Sequence, residues 1–294
     1  MHVLKGHGTG NDFVLVPDLD GVLDLTPELV RALCDRHTGI GADGVLRVVR
    51  SANDPDGKEL ADDGEFFMDY RNADGSVAEM CGNGVRVFVR YLQRVSLVRQ
   101  DAAVATRGGI KRVRSSDDGS LVVEMGQPRI LTDRPVVTAA AAPVCTGTAV
   151  ELPNPHVVVE LAEREQLAGL DLSAPPEVEP HRPAGVNVEF VVRAGPRHLL
   201  MRVHERGVGE TRSCGTGICA AVVAAAAAGG CPADGTRWRV DAPGGTCTVV
   251  WDADGVQLSG PAVIVAEVDV DDEWLATASV TKDLGQPCHD GSDD

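Results

Sequence analysis

Residues 81–95 have the sequence CGNGVRVFVRYLQRV, in which a cysteine and two glycines directly precede a helical pattern. The apolar side chains recur at the spacing of one face of an α-helix, at Val85, Phe88, Val89, Leu92 and Val95. Arg86, Arg90 and Arg94 share another face, which we predict to be polar and solvated. The stretch therefore predicts a tight turn that opens a buried helix.

A second stretch repeats this arrangement. Residues 214–228 have the sequence CGTGICAAVVAAAAA, and 133 residues separate its cysteine from Cys81. Strand-like segments flank both turns, and 294 residues exceed the usual size of one domain. We therefore predict an α/β (α+β) fold of two similar halves, over residues 1–127 and 128–261. A strand near residues 262–275 is expected to complete the first half.

Charge and composition exclude several classes of protein. The formal net charge of −17 argues against binding to nucleic acid, whose phosphates need a basic surface. No apolar run approaches the roughly 20 residues that cross a bilayer, and the N-terminus lacks a secretion signal. We expect a cytoplasmic protein with no membrane contact. Residues 276–294 are small, polar and acidic, which predicts a disordered tail.

The chain has eight cysteines and no Cys-x-x-Cys pair, which favours reduced thiols in a cytoplasmic protein. Cys81 and Cys214 differ from the rest because each precedes a predicted helix. Free amides and partial positive charge at a helix start favour a thiolate and bind a carboxylate. One such turn is equally compatible with a structural role, whereas two matching turns favour a site. Packing roles are predicted for the remaining cysteines, Cys34, Cys145, Cys219, Cys231, Cys247 and Cys288.

Two thiols on opposite sides of a substrate suit the inversion of a stereocentre. One thiolate removes a proton from one face, and a thiol delivers another proton to the opposite face. Amides that bind the neighbouring carboxylate would stabilise the developing charge. None of the four lysines has an evident Schiff-base setting, and no metal-binding motif is present. We therefore expect no cofactor and no metal.

Five segments of the chain resemble diaminopimelate epimerases. They are GHGTGNDF (6–13), RNADGSVAEMCGNGVR (71–86), NPH (154–156), GVN (185–187) and ERGVGETRSCGTG (205–217). The resemblance implies two halves, each a mixed sheet curled around a central helix, with the substrate between them. It also implies interconversion of LL- and meso-diaminopimelate on the route to lysine and cell-wall precursors, and a homodimer.

The resemblance assigns a role to each matching residue. Cys81 and Cys214 correspond to the two acid/base thiols. Amides for the carboxylate at the reacting centre are expected from Gly82, Asn83, Gly215 and Thr216. Two polar residues near that centre, His156 and Glu205, would contact substrate and help set thiol protonation. The shell that recognises the substrate, its distal end in particular, would comprise Asn11, Asn72, Asn154, Asn187 and Arg206.

One position departs from the family pattern. Many members have glutamine after the aspartate of the GIG-x-D turn, whereas this chain has Gly44 there. A side-chain contact is thereby lost, and backbone or water would replace it.

Three other functions compete with this hypothesis. Proline and hydroxyproline racemases or epimerases use a similar thiol pair, but usually have histidine where Asn83 stands. The Glu205–Arg206 segment likewise favours a substrate with a second polar end. Cys81 and Cys214 could instead form the disulfide of a redox switch. A non-catalytic amino-acid-binding protein would need the amides and Arg206 but neither thiol.

Overall fold

The computed structural model describes residues 1–230 and 232–278. In this part of the chain the strands are β1 (His2–Gly8), β2 (Asn11–Pro17), β3 (Gly44–Arg50), β4 (Phe66–Asn72), β5 (Ala102–Ala105), β6 (Lys111–Ser115), β7 (Leu121–Gly126), β8 (Arg129–Ile130), β9 (Val136–Thr138), β10 (Cys145–Thr146), β11 (Thr148–Leu152), β12 (Asn154–Glu160), β13 (Glu177–Glu179), β14 (Asn187–Gly195), β15 (His198–Glu205), β16 (Gly209–Thr211), β17 (Arg237–Ala242), β18 (Gly245–Asp252), β19 (Gly255–Gly260) and β20 (Val263–Asp269). The helices are α1 (Pro27–Cys34), α2 (Gly82–Arg94), α3 (Arg164–Ala168), α4 (Gly215–Ala228) and α5 (Asp272–Ala278), with short 3₁₀ helices at Ser51–Asn53 and Lys58–Leu60.

Helix α2 is the centre of the first half. It packs against β1, β2, β7 and β20, and its predicted apolar face is buried except for Val95, which follows the last helical residue and is exposed. Val85, Phe88 and Leu92 lie in one core with Phe13 and Leu46 of the surrounding strands. The sheet is mixed, because β2 pairs in parallel with β3 and β4 in parallel with β5, whereas β1 and β2, and β3 and β4, pair antiparallel.

Helix α4 has the same place in the second half. It packs against β11, β12, β14 and β18, and it is buried on all sides as far as Ala226. The small alanine side chains allow the strands to approach the helix closely from every direction. This sheet is also mixed, since β12 pairs in parallel with β14 and β14 pairs antiparallel with β15.

The two halves join edge to edge. Strand β19 pairs antiparallel with β7, and β11 pairs with β8, so that the described residues form a sheet of 17 strands. Strand β20 pairs with β1. The fold class is confirmed: the chain is a sheet-rich α+β protein of two pseudo-symmetric halves, each with a central helix. The limits 1–127 and 128–261 stay predictions.

Sequence patterns missed β1, because Lys5, Gly6, His7 and Gly8 interrupt its apolar alternation. The strand forms because β2 and β20 pair with it on both sides. Tertiary pairing thus outweighs weak local preference.

The chain end also differs from prediction. A disordered tail is predicted from residue 276, but α5 continues to Ala278, whose side chain is buried beside the apolar core at α1. That burial stabilises the last helical turn. The rest of the predicted tail, and Cys231 and Cys288, lie outside the described residues. No helix within residues 1–230 and 232–278 is long and apolar enough to cross a membrane.

Candidate active site

Cys81 is the residue that caps the start of α2. Its backbone is extended, and its sulfur accepts a hydrogen bond from the amide of Gly84, with 3.3 Å between Sγ and N. The thiol in turn donates to Oδ1 of Asn11 at 3.6 Å. A helix cap normally uses a side-chain oxygen of Ser, Thr or Asp. A sulfur is a weaker hydrogen-bond acceptor, so Cys81 stabilises the helix start less while placing a reactive thiol there.

Cys214 caps α4 in the same way. Its sulfur accepts from the amide of Gly217 at 3.4 Å and lies 3.4 Å from the hydroxyl of Thr216. Only 5% of the residue is exposed, whereas Cys81 is partly exposed. The predicted helix-start setting of both cysteines is therefore what the structure shows.

The two helix starts meet at the junction of the halves. A Cβ atom added to Gly215 would lie 3.4 Å from the Cα of Gly82 and 3.4 Å from Oδ1 of Asn83. Across the same junction, Nδ2 of Asn83 donates to the carbonyl of Ser213 at 2.9 Å. Glycine is needed here because a side chain would separate the two turns. The structure thus brings together both predicted turns.

Burial, rather than the helix starts, dominates the titration of the thiols. Burial raises the pKa of Cys81 to about 11, and the amides of Gly84 and Asn83 only partly oppose it. Burial likewise raises the pKa of Cys214 well above its usual value, and the nearby carboxylates of Glu205 and Glu189 raise it further. The helix starts act in the expected direction, since their amides lower the pKa of both thiols, but burial outweighs them.

Glu205 lies close to both sulfurs. Its charge raises the pKa of each cysteine, its carboxylate accepts a hydrogen bond from Thr211, and the nearby Cys214 thiol lowers the pKa of that carboxylate. Burial raises the pKa of Glu205 itself. A carboxylate in this place can take a proton from a neighbouring thiol.

A fully buried pair lies beneath the start of α4. Nδ1 of His156 is 2.7 Å from Oε1 of Glu189, and neither side chain is exposed. A Cβ atom on Gly217 would be only 2.5 Å from that oxygen, which places Glu189 directly against the helix start. His156 was expected at the site but Glu189 was not. The sequence feature that could have identified Glu189 is a single carboxylate within the apolar run 188–192 of β14.

The other predicted binding residues are placed as follows. Asn187 is 5% exposed, and its Oδ1 accepts from the amide of Arg206 at 2.9 Å. The guanidinium of Arg206 is exposed and donates to the carbonyl of Ala184 at 3.0 Å. Nδ2 of Asn72 donates to Ser76 at 3.0 Å, and the side chain of Asn154 has no hydrogen bond within residues 1–230 and 232–278. Neither of these two side chains forms a hydrogen bond with Cys81 or Cys214 in the described residues.

Steric contacts with neighbouring residues explain why position 44 is a glycine in this chain. A Cβ atom at this position would lie 2.5 Å from the carbonyl oxygen of Arg71 and 2.8 Å from Cε2 of Tyr70. The Tyr70 ring therefore fills space that a side chain at position 44 would need. Burial raises the pKa of the Tyr70 phenol, and the charges of Cys81 and Glu205 raise it further. Tyr70 is thus a second neighbour of the thiols that sequence patterns did not identify.

The predicted polar face of α2 is wrong for Arg86. Its side chain is fully buried, with Nη2 2.8 Å from Oδ1 of Asn83. Arg90 is partly buried, and only Arg94 is exposed, where it pairs with Glu267. Helical spacing could not reveal this, because the second half covers the helix start.

Solved structures of other proteins share this fold. A hydroxyproline epimerase from Agrobacterium vitis aligns with a TM-score of 0.63 at 15% identity, over 95% of this chain and 98% of that one. A phenazine biosynthesis protein of the PhzF family from Bacillus anthracis aligns with a TM-score of 0.64 at 16% identity, over 92% and 98%. At such identities the likeness shows the fold alone.

Sequence comparison is more specific. The family model described as diaminopimelate epimerase matches residues 3–131 and 148–265. The diaminopimelate epimerase of Streptomyces coelicolor is 53% identical over 283 residues, covering 92% of this chain and 96% of the relative. That of Thermobifida fusca is 52% identical over 276 residues, covering 92% and 98%. The chain belongs to the diaminopimelate epimerase family, and the predicted resemblance is confirmed.

Proposed function

We propose that this chain interconverts LL- and meso-diaminopimelate, and that Cys81 and Cys214 are its two acid/base groups. The observation that carries the proposal is the meeting of two cysteine-capped helix starts, with Gly82 and Gly215 in contact. Family membership supports the substrate. The hydroxyproline epimerase shares only the fold, since its 15% identity to this chain is no higher than the 16% of the phenazine biosynthesis protein.

The carboxylate of the reacting centre would bind between the two helix starts. The first amides of a helix have no partner within it, and they attract anions. In α2 and α4 the amides of Gly84 and Gly217 point at the sulfurs. The preceding amides, of Gly82, Asn83, Gly215 and Thr216, supply the carboxylate contacts. The same carboxylate is thereby held next to both thiols.

The reaction needs one thiolate and one thiol. The thiolate takes the α-proton, and the electron pair remains on the α-carbon, where the bound carboxylate delocalises it. The opposite thiol then gives its proton to the other face of that carbon. The sulfurs exchange protonation states in each turnover, so the reverse reaction uses the same groups with their roles exchanged.

Glu205 provides a route to the first thiolate. Burial raises the pKa of both thiols and thereby favours their protonated forms, so one proton must leave before turnover begins. Glu205 lies close enough to the Cys214 thiol and to Cys81 to influence the pKa of each. His156, held by Glu189, is the second group that sets protonation near Cys214.

The distal end of the substrate carries a second amino-acid group. We assign its recognition to the polar shell formed by Asn11, Asn72, Asn154, Asn187 and Arg206. The exposed guanidinium of Arg206 can hold a carboxylate in bidentate fashion. The hydrogen bond from the Arg206 amide to Asn187 links the two residues that would contact this end.

We also propose that the protein acts in the cytoplasm as a homodimer and binds no nucleic acid. The net charge of −17 supports the last point. Light scattering after size-exclusion chromatography measures the mass in solution, and a mass of one chain would contradict the dimer.

Proton exchange tests the proposed activity. The reduced protein is incubated with LL-diaminopimelate in D₂O, and the α-proton is followed by NMR. The proposal predicts loss of the α-proton signal together with formation of the meso isomer. Absence of exchange by a folded, reduced protein would contradict it, and exchange of proline instead would select the sister activity.

Single cysteine variants test the two thiols. Cys81→Ala and Cys214→Ala are each expected to lose turnover by about 10²–10⁴-fold, the range for a positioned acid or base. Cys219→Ala is the matched control, because Cys219 is a buried cysteine in α4 with no place in the mechanism. Wild-type turnover in either of the first two variants would refute the two-thiol mechanism.

A further inference from the structure

Arg86 is a completely buried cation one helical turn beyond Cys81. It is the largest side chain in the chain's described part with less than 2% exposure. Two glycines make room for its guanidinium: a Cβ atom on Gly260 would lie 3.2 Å from Cζ, and one on Gly8 would lie 3.3 Å from Nη2. The guanidinium thus lies at the junction between the two halves.

No acid neutralises this cation within residues 1–230 and 232–278. Nη2 has three neighbours, at 2.8 Å from Asn83 Oδ1, 3.3 Å from Thr9 Oγ1 and 4.0 Å from Cys247 Sγ. Nε and Nη1 are buried and have no hydrogen-bond partner there. A buried charge is ordinarily paired, because an unpaired one strongly destabilises the folded state. A buried cation without an acidic partner therefore points to an anion that binds nearby.

Arg86 also fixes the orientation of Asn83. A guanidinium can only donate hydrogen bonds, so the oxygen of the Asn83 amide must face it. The Nδ2 group of Asn83 therefore faces the other way, where it donates to the carbonyl of Ser213 at 2.9 Å and to Oδ1 of Asn11 at 3.3 Å. That same Asn11 oxygen accepts from the Cys81 thiol. A chain of hydrogen bonds thus runs from Arg86 to Cys81.

We propose that Arg86 is a positioning residue with two effects: it holds Asn83 and Asn11 against Cys81, and its unneutralised charge stabilises anions at the helix starts. Those anions are the Cys81 thiolate and the carboxylate of an amino-acid substrate. Stabilisation of the substrate carboxylate rests on the proposed function, whereas stabilisation of the Cys81 thiolate does not.

Other charged and titratable groups also face these residues. Glu205 and Tyr70 face Cys81, and Cys247 and Cys219 lie near Arg86. Among the described groups that influence Cys81, Glu205 disfavours the thiolate and Arg86 favours it. Removing the charge at position 86 should therefore leave only the amides of Gly84 and Asn83 to oppose burial and Glu205.

Alkylation of Cys81 by iodoacetamide tests the charge without any substrate. Below the pKa of a thiol, its alkylation rate is proportional to its thiolate fraction. Peptide mass spectrometry between about pH 8 and 9.5 gives the rate for Cys81, with the partly exposed Cys145 as an internal reference. Arg86→Met should lower the alkylation rate of Cys81 about tenfold, which corresponds to a pKa higher by about one unit. Arg90→Met, on the same helix, should leave the rate unchanged.

Arg86→Lys separates charge from orientation. Lysine keeps the charge but cannot reproduce the planar fork that faces Asn83. Its Cys81 alkylation rate should stay within about twofold of wild type, while turnover of diaminopimelate falls at least about tenfold.

An unchanged alkylation rate in folded Arg86→Met would overturn the charge effect, and wild-type turnover in Arg86→Lys would overturn the positioning effect. If Arg86→Met does not fold, Arg86→Lys decides alone: a Cys81 rate about tenfold below wild type, despite the retained charge, would also overturn the proposal. A chain without activity on diaminopimelate would refute the proposed function but leave the alkylation result intact.

Discussion

His156 and Glu189 form a buried hydrogen-bonded pair beneath the start of α4. The distance between Nδ1 and Oε1 is 2.7 Å, and neither side chain is exposed. Their other polar atoms, His156 Nε2 and Glu189 Oε2, have no hydrogen-bond partner within residues 1–230 and 232–278. The carboxylate therefore fixes the orientation of the ring while one nitrogen stays available. Such a carboxylate–imidazole arrangement orients a base beside a nucleophilic or basic thiol.

Loss of Glu189 should reduce both stability and turnover. Glu189→Ala leaves the His156 ring buried without its partner, so we expect a loss of about 3–5 kcal/mol in the free energy of unfolding. Glu189→Gln keeps the shape and one hydrogen bond, so its loss should be clearly smaller, while turnover still falls. Urea denaturation and the epimerisation rate measure the two effects. Full turnover in Glu189→Gln would show that the charge of this residue has no part in the reaction.

Gly215→Ala should separate the two helix starts. The added methyl group would lie 3.2 Å from Leu258 Cδ2 and 3.4 Å from Gly82 Cα. Contacts this tight require the neighbours to move by a few tenths of an ångström. Because a displacement near 1 Å can cost about a hundredfold in rate, we expect this smaller shift to lower turnover about two- to fivefold. Gly229→Ala is the control, since Gly229 ends α4 in a right-handed conformation far along the helix. Steady-state kinetics of both variants measures the effect, and equal turnover would contradict the importance of the close approach.

Gly44→Ala tests whether Tyr70 has taken the space of a side chain. The methyl group would overlap the carbonyl oxygen of Arg71 and the Tyr70 ring, so we expect a loss of about 1–3 kcal/mol. Gly195→Ala is the matched control in a strand, because a Cβ atom there has no neighbour within 4 Å. Thermal and urea unfolding compare the two. Equal stability of both variants would mean that position 44 tolerates a side chain.

Stability should decline in alkali. Burial raises the pKa of Cys81 from 9.0 to about 11, so the folded protein holds this proton more tightly than the unfolded chain. Its contribution is fully present below about pH 9 and is lost as the pH rises towards 11, by at most about 1.4 kcal/mol per pH unit. Cys34, whose pKa burial raises to about 12, acts in the same direction. Urea unfolding at several pH values should therefore give a shallower decline for Cys81→Ala, and an identical decline would contradict the shifted pKa.

Much of the architecture was predictable because it is encoded locally. The helical spacing of Val85, Phe88 and Leu92 marks the buried face of α2, and the repeated cysteine turn marks the second half. Local patterns also place Cys81 and Cys214 at helix starts. These features depend on residues close together in the sequence, where periodicity and capping rules apply.

The missed features depend on contacts between distant parts of the chain. Arg86 has the spacing of a solvated face, but the second half buries it. Glu189 lies in a mostly apolar strand, and its role becomes evident only from its hydrogen bond with His156 on the neighbouring strand. The net effect of burial on the thiols also could not be predicted, because helix starts and desolvation act in opposite directions.

The isotope content at early times tests the two-thiol mechanism most directly. In D₂O the acidic thiol carries deuterium, while the other sulfur takes the substrate's α-proton. Starting from LL-diaminopimelate, the meso product formed in the first few per cent of reaction should contain deuterium at the inverted carbon, and the remaining LL isomer should contain none. Protium retained at the inverted carbon of the first product would contradict the account, because it would mean that a single group removes and returns the proton.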